Sequence, residues 1–264
     1  MIKAAVLGSP VSHSLSPRMH TFAYKELGLA GEYTSFDLPL EEFESFFHAV
    51  DNSWTGFSLT MPLKESAFTI DAEISQSAKR IHSVNTLYRK DGKWHGVSTD
   101  ESAFKRLLPA EKNSKIAILG AGGTARAAIG ALDGTVAEIH VFNRTLERKG
   151  SLESAAELSA VIMHSLNDSL DGFNIVLSTL PSGVSDALVA NMKVAPDLFF
   201  ESLYKPLPTL LSAHARELGS QVLNGIDLLV EQGMDQVALF SGHSFDYESM
   251  RKLLIADLSD FINR

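Results

Sequence analysis

Residues 8–20, GSPVSHSLSPRMH, crowd four serines and two histidines into what reads as the first strand-to-helix junction of the chain. A Ser beside a His invites a nucleophile-and-base reading, but catalytic pairs are assembled by a fold and not by sequence neighbours, and no G-x-S-x-G elbow accompanies them. Short hydroxyls at this place suit a different task, donating to a small carboxylate beside a helix start. Ser14 and Ser16 stand two residues apart, and Pro17 biases Ser16 toward an extended backbone, so both hydroxyls can face one way. Ser16 also sits where an N-cap belongs, with Pro17 at the first helical position. His13 and His20 read as structural.

Lys64 follows Pro62, which opens a further helix, and a first-turn cation opposes the helix dipole unless something offsets it. Asp91-Gly92, between VNTLYR and KWHGVS, is a strong hairpin signal. With those two as turn residues, paired positions sum to 183 (91 plus 92). Asn85 then faces Ser98, and Asp100 becomes its diagonal neighbour at roughly 7 to 8 Å. An amide and a carboxylate thus share one sheet face at a strand end, although taken alone such residues often only cap turns.

The second chemical feature is KIAILGAGGTARAAIGAL, an apolar strand, a glycine-rich turn and an alanine-rich helix. Gly120 lets the chain turn off the strand, Gly122 and Gly123 let the backbone approach a pyrophosphate, and Ala125 lets helix and sheet pack closely. Free N–H groups of the helix then point at the phosphates. An NAD site usually ends the second strand with Asp or Glu. Here VFNRTLERK places Asn143, Arg144, Arg148 and Lys149 there, which favours the 2′-phosphate of NADP.

These residues need a frame. A chain of 264 residues with 45% hydrophobic and 21% charged side chains can bury two modest cores. Its net charge of −9 argues against nucleic acid or an anionic membrane surface as partner. With no cysteine, disulfides, thiolate catalysis and cysteine-ligated zinc are excluded, and a reducing cytoplasm is expected. No apolar run approaches a bilayer span or a signal-peptide core. IKAAVL, GEYTSFDL and GFSLTM read as strands of βα units, with PLEEFESFFHAV an amphipathic helix between the last two. After the hairpin and a connecting helix at 101–108, IAIL, EIHVFN and FNIVLST read as parallel strands, and the chain from about Gly225 reads as helix. The expected fold is α/β and two-lobed: an N-terminal α/β substrate domain with a mostly parallel sheet, plus a Rossmann dinucleotide-binding domain. The boundaries fall at 1–101 with 228–264 for the first and 102–227 for the second.

Taken together in their order, HSLSP, SLTMPLK, HSVNTL, VSTD, LGAGGTARA, NRT, YKPLPT and GIDLLVEQ make the chain resemble the shikimate dehydrogenases from end to end. The resemblance implies NADPH-dependent reduction of 3-dehydroshikimate to shikimate in a cleft between the two domains, by a monomer or homodimer and without a metal. It implies that Lys64 and Asp100 form the catalytic pair, that Ser14 and Ser16 hold the substrate carboxylate, that Thr60, Asn85 and Gln232 orient ring hydroxyls, and that Tyr204 lines the cleft. NADP(H) would contact Gly120, Ala121, Gly122, Gly123, Thr124, Ala125, Asn143, Arg144, Thr145, Arg148, Thr179 and Gly225. Ser58, Ser98, Ala103 and Leu177-Ser178 depart from the commonest family pattern. A quinate/shikimate dehydrogenase or another paralogue acting on a cyclic hydroxy acid is therefore the alternative, and a non-catalytic NADP-sensing module a more distant one. Hydride arriving at a ketone carbon leaves charge on oxygen, which a protonated lysine can neutralise. In the oxidative direction lysine must first lose its proton, so alcohol oxidation is expected to accelerate well above neutral pH.

Overall fold

The computed structural model describes residues 1–145, 147–205 and 207–262. Leu146 of VFNRTLERK, Pro206 of YKPLPT and the last two residues lie outside the described residues. In chain order the elements are β1 (Ile2–Gly8), α1 (Ser16–Glu26), β2 (Gly31–Asp37), α2 (Phe43–His48), β3 (Gly56–Leu59), β4 (Glu73–Ile74), α3 (Gln76–Arg80), β5 (Thr86–Lys90), β6 (Lys93–Val97) and α4 (Thr99–Leu107). Then follow β7 (Ile116–Leu119), α5 (Gly123–Leu132), β8 (Glu138–Asn143), α6 (Lys149–Glu153), β9 (Ala160–Ser165), β10 (Ile175–Ser178), β11 (Leu198–Glu201), α7 (Leu210–Leu218), β12 (Gln221–Leu223), α8 (Gly225–Ser241) and α9 (Tyr247–Ile262). Two compact units result, one of Met1–Ala103 with the chain from Leu229 onward, the other of Phe104–Leu228.

The first unit holds a six-stranded sheet in the order β2-β1-β3-β5-β6-β4. β1 runs parallel to β2 and β3, β4 runs parallel to β6, and the β3–β5 and β5–β6 pairings are antiparallel. Its core gathers Leu7, Phe43, Phe57, Leu63 and Leu87, all fully out of solvent or nearly so. The hairpin takes the register its turn dictates, Thr86 opposite Val97 and Tyr88 opposite His95. Asp91 and Gly92 both have positive φ, 51° and 80°, as a two-residue turn matched to strand twist requires.

The second unit is wholly parallel, in the order β12-β11-β10-β7-β8-β9. Read from β9, this is the doubly wound arrangement of dinucleotide-binding sheets. The central strands IAIL and IVLS are buried along their whole length, which is why they read as continuous apolar runs.

Several local expectations are corrected. Ser16 does not cap α1: Leu15 occupies that place with helical dihedrals, and no side chain caps the helix. Ser14 Oγ instead accepts the Ser16 N–H at 3.3 Å, while the Ser14 N–H is turned back onto the Val11 oxygen. The chain is thus already coiled before Pro17, and Ser16, helical and buried, overrides the extended bias of a pre-proline residue. The stretch after Pro62 is a short 3-10 helix, Leu63–Phe68, so the α-helical dipole argument about Lys64 loses its basis. PLEEFESFFHAV forms only a 3-10 turn and the short α2. His13 is exposed and not structural, whereas His20 is fully buried.

Candidate functional site

Lys64 is fixed at its main chain, where its carbonyl accepts the Val84 N–H at 2.8 Å. The 3-10 turn is thereby tied to the residue just before Asn85. Its ammonium reaches Asp100 Oδ2 at 2.5 Å. Asp100 stands in the first turn of α4, not on the strand, and this changes its relation to Asn85: Asn85 Nδ2 donates directly to Asp100 Oδ1 at 2.9 Å. The register brought the two close, and the helix start at Thr99 closed the remaining gap. The Asp100 side chain is 5% exposed and that of Lys64 19%. A carboxylate this buried requires partners for both oxygens, and it has them in an ammonium and an amide.

Asn85 lies at the centre, 2% exposed. Its Oδ1 accepts the Thr99 N–H at 2.7 Å, and its Nδ2 also reaches Gln232 Oε1 at 3.2 Å. Gln232, on α8, is held by its own donation to the Leu229 oxygen. Ser102 hydrogen-bonds Asp235, pinning α4 to α8 a second time. Four predicted residues, Lys64, Asn85, Asp100 and Gln232, are therefore in direct contact.

Ser14 and Ser16 adjoin one another, and Ser16 interacts with the buried Tyr33 hydroxyl. Thr60 is half-buried at the end of β3, where its N–H is held by the Leu7 oxygen. Gly8 is obligatory beside it, since a Cβ there would stand 2.3 Å from Thr60 Cγ2. Ser58 is spoken for: it accepts from the Tyr33 hydroxyl at 2.6 Å and donates to Gln236 Oε1 at 2.7 Å. Tyr33, Thr86, Thr99 and Gln236 were not singled out from sequence. The legible signal for the last was a pair of glutamines four residues apart in an otherwise apolar helical stretch, both buried in α8.

In the second unit Gly120 turns off β7 with φ of 108°, and a Cβ there would lie 2.6 Å from Thr179 Oγ1. Thr179 in turn donates to the Leu119 oxygen at 2.9 Å. Gly122 is the extended N-cap of α5 with no side-chain cap, and open space lies where its Cβ would be. Backbone amides at a helix start of this kind suit an anionic ligand. Ala125 is buried. Arg148 Nη1 donates to the Ala121 oxygen at 3.2 Å, which brings the guanidinium to the glycine turn. Asn143 Nδ2 donates to the Thr145 oxygen at 2.8 Å and braces that bend, leaving Arg144 exposed. Gly225 receives a packing role as well: a Cβ would lie 2.4 Å from the Ser202 oxygen, in the segment leading to the half-buried Tyr204.

Among the described residues no cluster of His, Cys, Asp or Glu is placed to hold a metal ion, and no helix is long and apolar enough to cross a membrane. The family model of the shikimate dehydrogenase substrate binding domain matches residues 6–87, and that of shikimate / quinate 5-dehydrogenase matches residues 102–196. A shikimate dehydrogenase (NADP(+)) of Thermus thermophilus is 35% identical over 245 residues, 92% of this chain and 93% of the relative. The chain belongs to the shikimate dehydrogenase family. A Staphylococcus epidermidis member is 30% identical over 97% of both chains. The crystal structure of the Mycobacterium tuberculosis shikimate dehydrogenase matches with a TM-score of 0.87 at 31% identity, over 97% of this chain and 99% of that one. A crystal structure of shikimate 5-dehydrogenase from Thermus thermophilus, in complex with NADP(H) and shikimate, matches with a TM-score of 0.82 at 31% identity, over 96% of this chain and 98% of that one.

Proposed function

We propose that this chain catalyses the reversible, NADPH-dependent reduction of 3-dehydroshikimate to shikimate, with Lys64 and Asp100 as its catalytic pair. The unit of Met1–Ala103 and the chain from Leu229 onward binds substrate, and the unit of Phe104–Leu228 binds the dinucleotide. The observation that carries the reading is the 2.5 Å Lys64–Asp100 contact with Asn85 on the carboxylate's other oxygen.

The second unit fits NADP(H) on its own terms, through the uncapped start of α5, the open space over Gly122, and arginines in place of the acidic residue that would repel a 2′-phosphate. When bound, NADP(H) supplies or accepts the hydride. Ala121, Gly122, Gly123 and Thr124 offer backbone donors for its phosphates, Arg144, Thr145 and Arg148 meet the 2′-phosphate, and Thr179 and Gly225 shape the nicotinamide side. The Lys64 ammonium gives its proton to the substrate oxygen as charge develops there, becoming a neutral amine that regains a proton from solvent. Asp100 keeps that ammonium in place and lends the developing alcohol an acceptor. Ser14 and Ser16 hold the substrate carboxylate, and Thr60, Asn85 and Gln232 orient the ring hydroxyls. We assign the activity to the cytoplasm on the cysteine-free composition.

The test is an NADPH-absorbance assay with shikimate and quinate, and with NADP and NAD, on the parent and Lys64→Ala. Loss of a positioned proton donor lowers turnover about 10²- to 10⁴-fold. Parental turnover by the variant would remove Lys64 from the mechanism. The shikimate / quinate description of the matched family model is the reason for including quinate, and a higher kcat/KM on quinate would reassign the substrate.

A further inference from the structure

Behind the proposed catalytic pair runs a chain of buried hydrogen bonds that ends on Asp100. Tyr33 on β2 donates to Ser58, and Ser58 donates to Gln236 Oε1. His20 Nε2 reaches the same oxygen at 3.1 Å. From the other end of the Gln236 amide, Nε2 donates to Thr86 Oγ1 at 2.9 Å and to the main-chain oxygen of Asn85 at 3.4 Å. Thr86 Oγ1 then donates to Asn85 Oδ1 at 3.0 Å, and Asn85 Nδ2 donates to Asp100. Tyr33, Ser58, Thr86, Asn85, Asp100, His20 and Gln236 are all buried.

The direction of this chain is not free. A carboxylate and a main-chain carbonyl only accept, and a main-chain N–H only donates. The Thr99 N–H on Asn85 Oδ1 turns Nδ2 toward Asp100. The Asn85 carbonyl turns Gln236 Nε2 toward Thr86, so the single Thr86 proton runs onward, away from Gln236, to Asn85 Oδ1 or to Thr99 Oγ1, each at 3.0 Å. Gln236 Oε1 in turn obliges Ser58 and His20 Nε2 to donate to it.

We infer that Gln236 is a positioning residue for the proposed reaction: by donating to Thr86 it leaves the Thr86 proton to Asn85 Oδ1, which reinforces the Thr99 N–H in holding the Asn85 amide with its N–H on Asp100, the other carboxylate oxygen being left to Lys64. This rests on the Lys64–Asp100 reading above. Gln236 acts through two intermediates, and Thr99 shares the load on Asn85, so the expected effect is smaller than loss of the lysine.

The experiment compares full-length parent, Gln236→Leu, Thr86→Val, the double variant and Lys64→Ala by steady-state oxidation of shikimate with NADP and by thermal unfolding. Gln236→Leu and Thr86→Val should each lower kcat about tenfold, with both KM values within about twofold of the parent. The double variant should lose no more than the worse single one, because the two act in series. Parental kcat in either folded single variant overturns the inference, as does a multiplicative loss in the double. A fall in melting temperature with kcat intact likewise overturns it, since that marks a packing role alone. If Gln236→Leu fails to fold, Thr86→Val, which removes one hydroxyl, decides by its kcat alone. An inactive Lys64→Ala beside fully active Gln236→Leu removes only this inference, while an active Lys64→Ala removes the assignment of the pair.

Discussion

His20 provides a test of the buried network that needs no substrate. Its ring is fully buried on α1 and stacks on Tyr33 with centroids 3.9 Å apart. Nδ1 is buried without a hydrogen-bond partner among the described residues. Protonation would place a cation there with one N–H lacking an acceptor. Burial accordingly lowers its pKa from 6.5 to about 3, against the smaller opposing pull of Gln236. The unfolded chain takes up this proton near pH 6.5 and the folded chain only near pH 3, so the unfolded state binds more protons throughout that interval. Stability from this group is complete above pH 6.5 and is lost as pH falls toward 3. At 1.36 kcal/mol per unit, the loss is about 2 kcal/mol at pH 5 and about 5 kcal/mol near pH 3. His20→Phe keeps an aromatic ring against Tyr33 and removes the titration. Urea unfolding of parent and variant at about pH 7 and pH 5 measures the difference. The parent should lose about 2 kcal/mol more than the variant between the two conditions, whatever constant offset the lost Gln236 hydrogen bond adds to both. Equal losses would refute the claim that the folded protein keeps this imidazole neutral.

Glu201 should show the opposite sign: burial raises its pKa from 4.5 to about 6 despite hydrogen bonds from Thr209 and Leu203. The folded chain therefore holds its proton longer, and about 2 kcal/mol of stability is lost as pH rises from 4.5 through 6; Glu201→Gln should flatten that span in the same unfolding comparison. Gly120→Ala combines a φ of 108° with a Cβ 2.6 Å from Thr179 Oγ1, so it should destabilise by about 2 to 4 kcal/mol. Adding Thr179→Ala should recover the steric part and leave the backbone part, read as urea midpoints. Arg148→Ala should raise the KM for NADPH about tenfold or more while leaving that for NADH nearly unchanged, measured in parallel titrations.

What was legible in the sequence follows the range of the forces involved. The Asp91-Gly92 turn is local chemistry, and it fixed the strand register that brings Asn85 toward Asp100. The glycine turn between β7 and α5 was legible for the same reason. The proline rule alone misplaces Ser16, because the Ser14 hydroxyl accepts the Ser16 N–H and the helix begins one residue early, at Ser16. β9 carries an apolar run of its own, AVIM, as legible as IAIL, although its residues are only partly buried; β11 and β12 are only four and three residues long. Gln236 and Tyr33 stayed hidden because their partners come from elements far apart in the chain, and no spacing rule links β2 to α8.

Both glutamines that complete the polar circuit around Asn85 lie on α8, after the contiguous insertion of Phe104–Leu228. The ribosome therefore delivers Lys64, Asn85 and Asp100 long before Gln232 and Gln236 have been synthesised. The inserted unit is contiguous, so all of its elements have been made before the first unit has its last ones. A nascent chain stopped between residues 100 and 225 carries Lys64, Asn85 and Asp100 yet lacks α8 and the two glutamines that hydrogen-bond Asn85.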